Sequence, residues 1–277
     1  MRDQYLVALA TTEPGDPKVA QQIRDIGIDA FLQLHQPAQS FNVDKALTEI
    51  ADIGAQFISP IDSNWPPQLN DLAVPPLGLL VKGEINVLTQ QSLAIVGTRN
   101  PTHYGVRIAQ EFAAGFVDRG CAIVSGGAYG IDSAAHKGAL IAEGLTVAVT
   151  ASGLDSPYPA GNQKLFDEIA ESGALVTEYL PGVVARPFRF LVRNRIIAAL
   201  SDATLVVEAA FRSGSLRTAR DAAEIFRPVF AIPGPITAPT SEGCHRLIGE
   251  RKAELITSIA DGYELFMGLS KDAILSE

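Results

Sequence analysis

From Ser92 onward the chain alternates short, wholly apolar runs with longer amphipathic stretches, and this alternation restricts the fold more than any other feature. LAIVG, CAIVS, TVAVT, ALVTE, TLVVEA and PVFAIPG follow one another, separated by YGVRIAQEFAAGFVDRG, IDSAAHKGALIAEG, NQKLFDEIAESG, FRFLVRNRIIAALS and SLRTARDAAEIF. A strand wetted on one face alternates apolar and polar side chains; a continuous apolar run marks a strand covered on both faces. Helices of this length between such strands predict an α/β fold with a mostly parallel, doubly covered sheet. Ile108, Phe112 and Phe116 recur at i, i+4 and i+8, which gives the first of these helices its buried stripe.

Upstream, residues 1–58 hold short helical patterns such as KVAQQIRDIG and VDKALTEIADIG and predict a small helical N-terminal domain. FISPIDSNWPPQLNDLAVPPLGLLVKG then disfavours helix through its prolines, so 59–83 is expected to be an extended connector, with Trp65 a packing anchor, and 84–277 the large domain. At 277 residues and 47 % apolar content the chain can bury a sizeable core. No stretch reaches the roughly 18 apolar residues of a membrane span, and the N-terminus does not resemble a secretion signal, so a cytoplasmic, membrane-free protein is expected. Cys121 and Cys244 lie outside any CxxC or Cys/His cluster, which suggests buried thiols and no metal site.

The chemistry concentrates at the turns that follow the strands. VGTRNPTHYG, VSGGAYGID and EAAFRSGSLRTA are rich in glycine, serine and arginine, and in an open α/β sheet ligands collect outside the carboxyl ends of the strands, where helix N-termini also point. Backbone amides there suit a phosphate or carboxylate, and tight βα packing or N-capping would use the same residues. Asp132 is expected to cap its helix or fix the glycine turn, and His136 to be a surface or packing residue. The turn G-G-A-Y-G is no GxGxxG, and GxxxxGK[ST] and G-x-S-x-G are absent, which argues against a dinucleotide enzyme, a P-loop nucleotidase and a serine hydrolase. No cofactor and no catalytic residue is expected.

A net charge of −9 argues against nucleic-acid binding by bulk attraction, yet seven arginines (186, 189, 193, 195, 212, 217 and 220) face only Asp202 and Glu208 between Gly182 and Arg220. In FRFLVRNRIIAALSD, Arg186, Arg189, Arg193 and Arg195 interleave with Phe188 and Phe190, and Arg189 and Arg193 share a helix face at i, i+4 spacing. Arginines among aromatics suit single-stranded nucleic acid; a core-facing pair of phenylalanines with a solvated basic face has the same pattern.

These stretches, together with YPAGN and GALVTEYLPG, resemble in order the DNA-processing protein A (DprA/Smf) family over nearly all of residues 57–257. The resemblance implies an extended Rossmann-like, doubly wound domain that binds and protects single-stranded DNA, helps load the RecA recombinase in natural transformation, pairs as a homodimer and is not an enzyme. It places the DNA pocket on Gly97, Thr98 and Arg99; on Ser125, Gly126, Gly127 and Ala128; on Phe190 with Arg193, Asn194 and Arg195; and on the similar turn Ser213, Gly214 and Ser215. The strip adds Arg186 and Arg189. Many members of the family continue into a winged-helix-like domain, which this chain is expected to lack, and the N-terminal region matches only loosely. The alternative from another class is a nucleotide phosphoribohydrolase of related fold, which needs a PGGxGTxxE turn where this chain has VFAIPGPITAPTSEG.

Overall fold

The computed structural model describes residues 1–274, with side chains through Gly268. Four helices, α1 (Arg2–Thr11), α2 (Pro17–Ile26), α3 (Ile28–Leu34) and α4 (Val43–Asp52), precede strand β1 (Gln56–Ile58) and, after the proline-rich stretch, β2 (Leu79–Gly83). The alternating part then runs β3 (Ser92–Val96), α5 (His103–Val117), β4 (Ala122–Ser125), α6 (Ile131–Ile141), β5 (Thr146–Val149), α7 (Gln163–Ser172), β6 (Ala174–Thr177) and α8 (Pro187–Leu200). It closes with β7 (Ala203–Val206), α9 (Ser215–Glu224), β8 (Val229–Ala231), α10 (Glu242–Gly249), β9 (Glu254–Leu255) and α11 (Ile259–Ile274).

The strands form one nine-stranded sheet in the order β1-β2-β6-β5-β4-β3-β7-β8-β9. Every pairing from β6 to β9 is parallel, and β1 and β2 add an antiparallel edge. This is the doubly wound, Rossmann-like arrangement. The alternating part starts at β3, builds outward through β4, β5 and β6, then returns to lay β7 on the other side of β3.

The side chains of each parallel strand divide between two cores. Leu93 and Ile95 of β3 join Ile123, Leu205 and Phe230 under α5, α6 and α11. Ala94 and Val96 join Val124 and Val206 under α8 and α9. Burial on both faces is why these strands read as unbroken apolar runs. A third cluster joins Leu6 and Leu9 of α1 and Ala46 and Ile50 of α4 to Phe57, Leu80, Leu165 and Phe166. The helical segment therefore packs on α7 and the sheet edge.

β1 ends at Ile58, β2 lies at the end of the connector, and the two pair with each other while β2 also pairs with β6, so helical segment, connector and large domain share one sheet. Within the connector the prolines enforce irregular backbone as far as Gly78, after which LLVKG pairs antiparallel with β6. Trp65 is buried, its indole N–H donating to Asn70 Oδ1 at 3.2 Å. Both cysteines are buried free thiols. No helix among the described residues is long and apolar enough to cross a membrane.

Candidate nucleic-acid interface

Because the winding reverses between β3 and β7, the loops leaving these two adjacent parallel strands diverge and leave a crevice at their carboxyl ends. The crevice is an open cleft of about 700 Å³, with Gly97, Arg99, Ala128, Asp132, Tyr158, Phe190, Arg193, Asn194, Ser213, Gly214 and Ser215 among the residues lining it. Residues from all four predicted stretches thus meet in one place.

The β3 turn is built tightly. A Cβ on Gly97 would lie 2.8 Å from both the Glu208 carbonyl oxygen and Ile131 Cβ, so only glycine lets the loops cross here. The Thr98 amide donates to the Glu208 carbonyl at 2.7 Å, and its own carbonyl accepts from the Ile131 amide at 3.2 Å. Thr98 is therefore a structural link. Arg99, next in the chain, is exposed, and its guanidinium carbon sits 5.1 Å from the centroid of the Phe190 ring. Phe190 in turn packs edge-on against Tyr158, with centroids 5.6 Å apart. A cation above an aromatic face is held without consuming its hydrogen-bond donors. Among the described residues no carboxylate pairs with Arg99.

The glycine turn has a different character. Ser125 is buried and its hydroxyl donates to the Ile95 carbonyl at 2.6 Å. Gly127 has φ +68°, and a Cβ there would lie 2.8 Å from Phe166 Cζ; its carbonyl accepts from Asn162 Nδ2 at 2.9 Å. The amides of Gly126 and Ala128 point at the Asp132 carboxylate, the latter at 3.4 Å. The anion seat of this turn is thus filled by the protein's own carboxylate. Burial raises the pKa of Asp132, against the pull of the neighbouring Arg193.

The arginines of the basic strip separate in space. Arg193 is buried; its Nη1 donates to the Gly126 carbonyl at 2.7 Å and to that of Val149, and burial lowers its pKa to about 10. It braces the glycine turn from below. Arg189 turns to the back of α8 and grips Glu13 with two bonds of 2.9 Å, while Arg195 pairs with buried Glu178 at 2.8 Å. Arg217 pairs with Asp221 at 2.6 Å. Arg186, at the N-cap of α8, and Arg212 are exposed and adjoin in sequence the cleft-lining Pro187 and Ser213. The structure thus gathers Arg99, Phe190, Arg193 and Asn194 at the cleft, with Arg186 exposed beside it, and turns Arg189 and Arg195 away to their partners Glu13 and Glu178.

The serine turn forms the far wall. Ser213 Oγ and Ser215 Oγ lie 2.7 Å apart, and Asn194 Nδ2 donates to the Gly214 carbonyl at 3.2 Å. α9 starts at Ser215 beside the cleft; the Ser215 amide donates to Ser213 Oγ at 3.4 Å and those of Leu216 and Arg217 to the Ser213 and Gly214 carbonyls, while among the described residues nothing accepts the Gly214 amide. Such a terminus suits an anion.

Three supporting residues escape sequence reasoning. Glu208 accepts from the Thr102 amide at 2.9 Å and hydroxyl at 2.6 Å, fixing the start of α5. Asn162 ties the YPAGN turn to Gly127, and Tyr158 backs Phe190. A lone acid directly after the apolar TLVV run was the available signal for Glu208.

The profile of the family described as DNA recombination-mediator protein A matches residues 56–267. A putative DNA processing protein DprA of Mycobacterium tuberculosis is 41 % identical over 92 % of this chain and 69 % of its own length. The crystal structure of DNA processing protein A from Streptococcus pneumoniae superposes with a TM-score of 0.83 at 31 % identity, covering 94 % of this chain and 96 % of that one. DNA processing protein A from Helicobacter pylori, whose structure is described for its single-stranded DNA binding mode, gives 0.70 at 32 % identity over 79 % of this chain and 96 % of that one. With the profile spanning most of the sheet, the chain belongs to the DNA recombination-mediator protein A family, the DprA/Smf family of DNA-processing proteins.

Proposed function

We propose that the cleft at the β3/β7 switch point binds single-stranded DNA without regard to sequence. The observation that carries this reading is the exposed Arg99 guanidinium 5.1 Å above the Phe190 ring, in a cleft whose far wall is the N-terminus of α9. The arginine meets phosphate, the ring stacks on an unpaired base, and the unengaged Gly214 amide at the positive end of α9 takes a neighbouring phosphate. Gly97 and Thr98, together with Ser125, Gly126, Gly127, Ala128 and Arg193, shape the walls, while Ser213, Gly214, Ser215 and Asn194 form the anion seat. Every base offers a π-face, so affinity is independent of sequence.

The role is binding rather than catalysis. Asp132, the acid in the cleft lining, is engaged by the turn amides, and family membership supports a binding role. Family membership supports a role as a homodimer that protects incoming single strands in the cytoplasm and helps load the RecA recombinase during transformation. The test is fluorescence anisotropy with a labelled oligodeoxythymidine. Phe190→Ala is expected to cost about 1–3 kcal/mol of binding free energy, the range for one stacked base. Unaltered affinity in that variant defeats the reading.

A further inference from the structure

Helix α8 carries Phe190, Arg193 and Asn194 to the cleft, and it is held from both sides. On the cleft side Arg193 bonds to the Gly126 carbonyl and Asn194 to that of Gly214. On the other side, the turn between α1 and α2 presses against the same helix. Glu13 receives both Nε and Nη2 of Arg189 at 2.9 Å, a bidentate pair whose arginine is only 11 % exposed. The Arg189 guanidinium also donates to the Val184 carbonyl at 2.8 Å and lies 4.8 Å over the Tyr179 ring. Two residues on, Gly15 has φ +78°, and a Cβ there would lie 2.6 Å from Val192 Cγ1. Asp16 then caps α2 by accepting from the Lys18 amide at 2.8 Å, which makes the turn a stiff support.

We propose that this N-terminal turn is a positioning element for the cleft: Glu13, through Arg189, and Gly15, through Val192, fix the placement of α8 and so the height of the Phe190 ring beneath Arg99. Arg189 and Phe190 are neighbours on one helix, so a shift that loosens the first moves the second, and a binding constellation tolerates only about 0.5 Å of misplacement. The inference rests on the single-stranded DNA reading above and gives the N-terminal segment a part in it. It also makes Arg189 a brace and not a phosphate ligand.

The experiment is a double-mutant cycle on the full chain, with Glu13→Ala, Phe190→Ala and their combination titrated against labelled oligodeoxythymidine across a salt series. Glu13→Ala is expected to weaken binding about fivefold, the lower end of ordinary coupling between sites, with the salt slope unchanged. In the Phe190→Ala background the same substitution is expected to change affinity less than about twofold. Glu13→Gln, which keeps an acceptor for Arg189, is expected to retain most of the affinity and serves if the alanine variant does not fold. Independent losses in the cycle, unchanged affinity in Glu13→Ala, or tighter binding with a steeper slope overturn the proposal while the functional reading stands. Full affinity in Phe190→Ala alone overturns that reading and the inference with it.

Discussion

The salt dependence of DNA binding separates the arginines that meet phosphate from those that hold the fold. Each phosphate neutralised on a single strand contributes a slope of about −0.7 in log affinity against log salt. If all seven arginines between Gly182 and Arg220 met phosphates, the slope would be about −5. The structure engages Arg189, Arg193, Arg195 and Arg217 internally. Of the seven that leaves Arg186, Arg212 and Arg220 exposed; Arg186 and Arg212 adjoin the cleft-lining Pro187 and Ser213 and Arg220 does not adjoin the lining, so with Arg99 three arginines meet phosphate, for a slope of about −2. Between 50 and 200 mM salt, a fourfold change, affinity is then expected to fall by about 16-fold, against about 1,000-fold for the larger slope. Anisotropy titrations at several potassium chloride concentrations measure it. Arg99→Ala is expected to reduce the slope to about −1.4, and Arg195→Ala to leave it unaltered. A wild-type slope near −5, or an Arg99→Ala slope equal to that of the wild type, refutes the assignment.

Two further outcomes concern the support beneath the cleft. A methyl group on Gly126 would lie within 2.6 Å of the Arg193 guanidinium carbon, which two carbonyls hold in place, so Gly126→Ala is expected to cost about 1–3 kcal/mol of folding stability, measured by urea denaturation, and to weaken DNA binding. His136 is wholly buried against Thr146 and burial lowers its pKa to about 3, so on acidification the unfolded chain takes up this proton first, and the contribution, intact above pH 6.5, is lost as pH falls toward 3. Between pH 6.5 and 5 the loss from this group is about 2 kcal/mol, seen as the difference in urea midpoints between the protein and His136→Gln; parallel pH profiles for the two contradict it.

The sheet is legible in the sequence because a strand buried on both faces has no choice but apolar residues, and β3 through β8 all have that environment. The position of the cleft is legible for a related reason: loops at strand ends carry the glycines and arginines that a crevice there requires. The arginine strip is less transparent. Helical spacing places Arg189 and Arg193 on one face, yet the first reaches back to Glu13 and the second down to Gly126 and Val149, and long flexible stems obey their partners more than their helical phase. Glu13 precedes Arg189 by 176 residues, so nothing local announces the pair. At the glycine turn Asp132 fixes the backbone as its position in the sequence suggests, accepting from the Ala128 amide. The turn's amides read as an anion site, and the anion they hold is Asp132, four residues beyond Ala128.

Photo-crosslinking tests the central claim most directly. Single-stranded DNA carrying 5-iododeoxyuridine, irradiated with the full protein and mapped by mass spectrometry, should form adducts at Phe190 and Tyr158, the ring pair 5.6 Å apart at the cleft. Adducts confined to peptides from other faces of the protein, with none at either ring, would contradict the account.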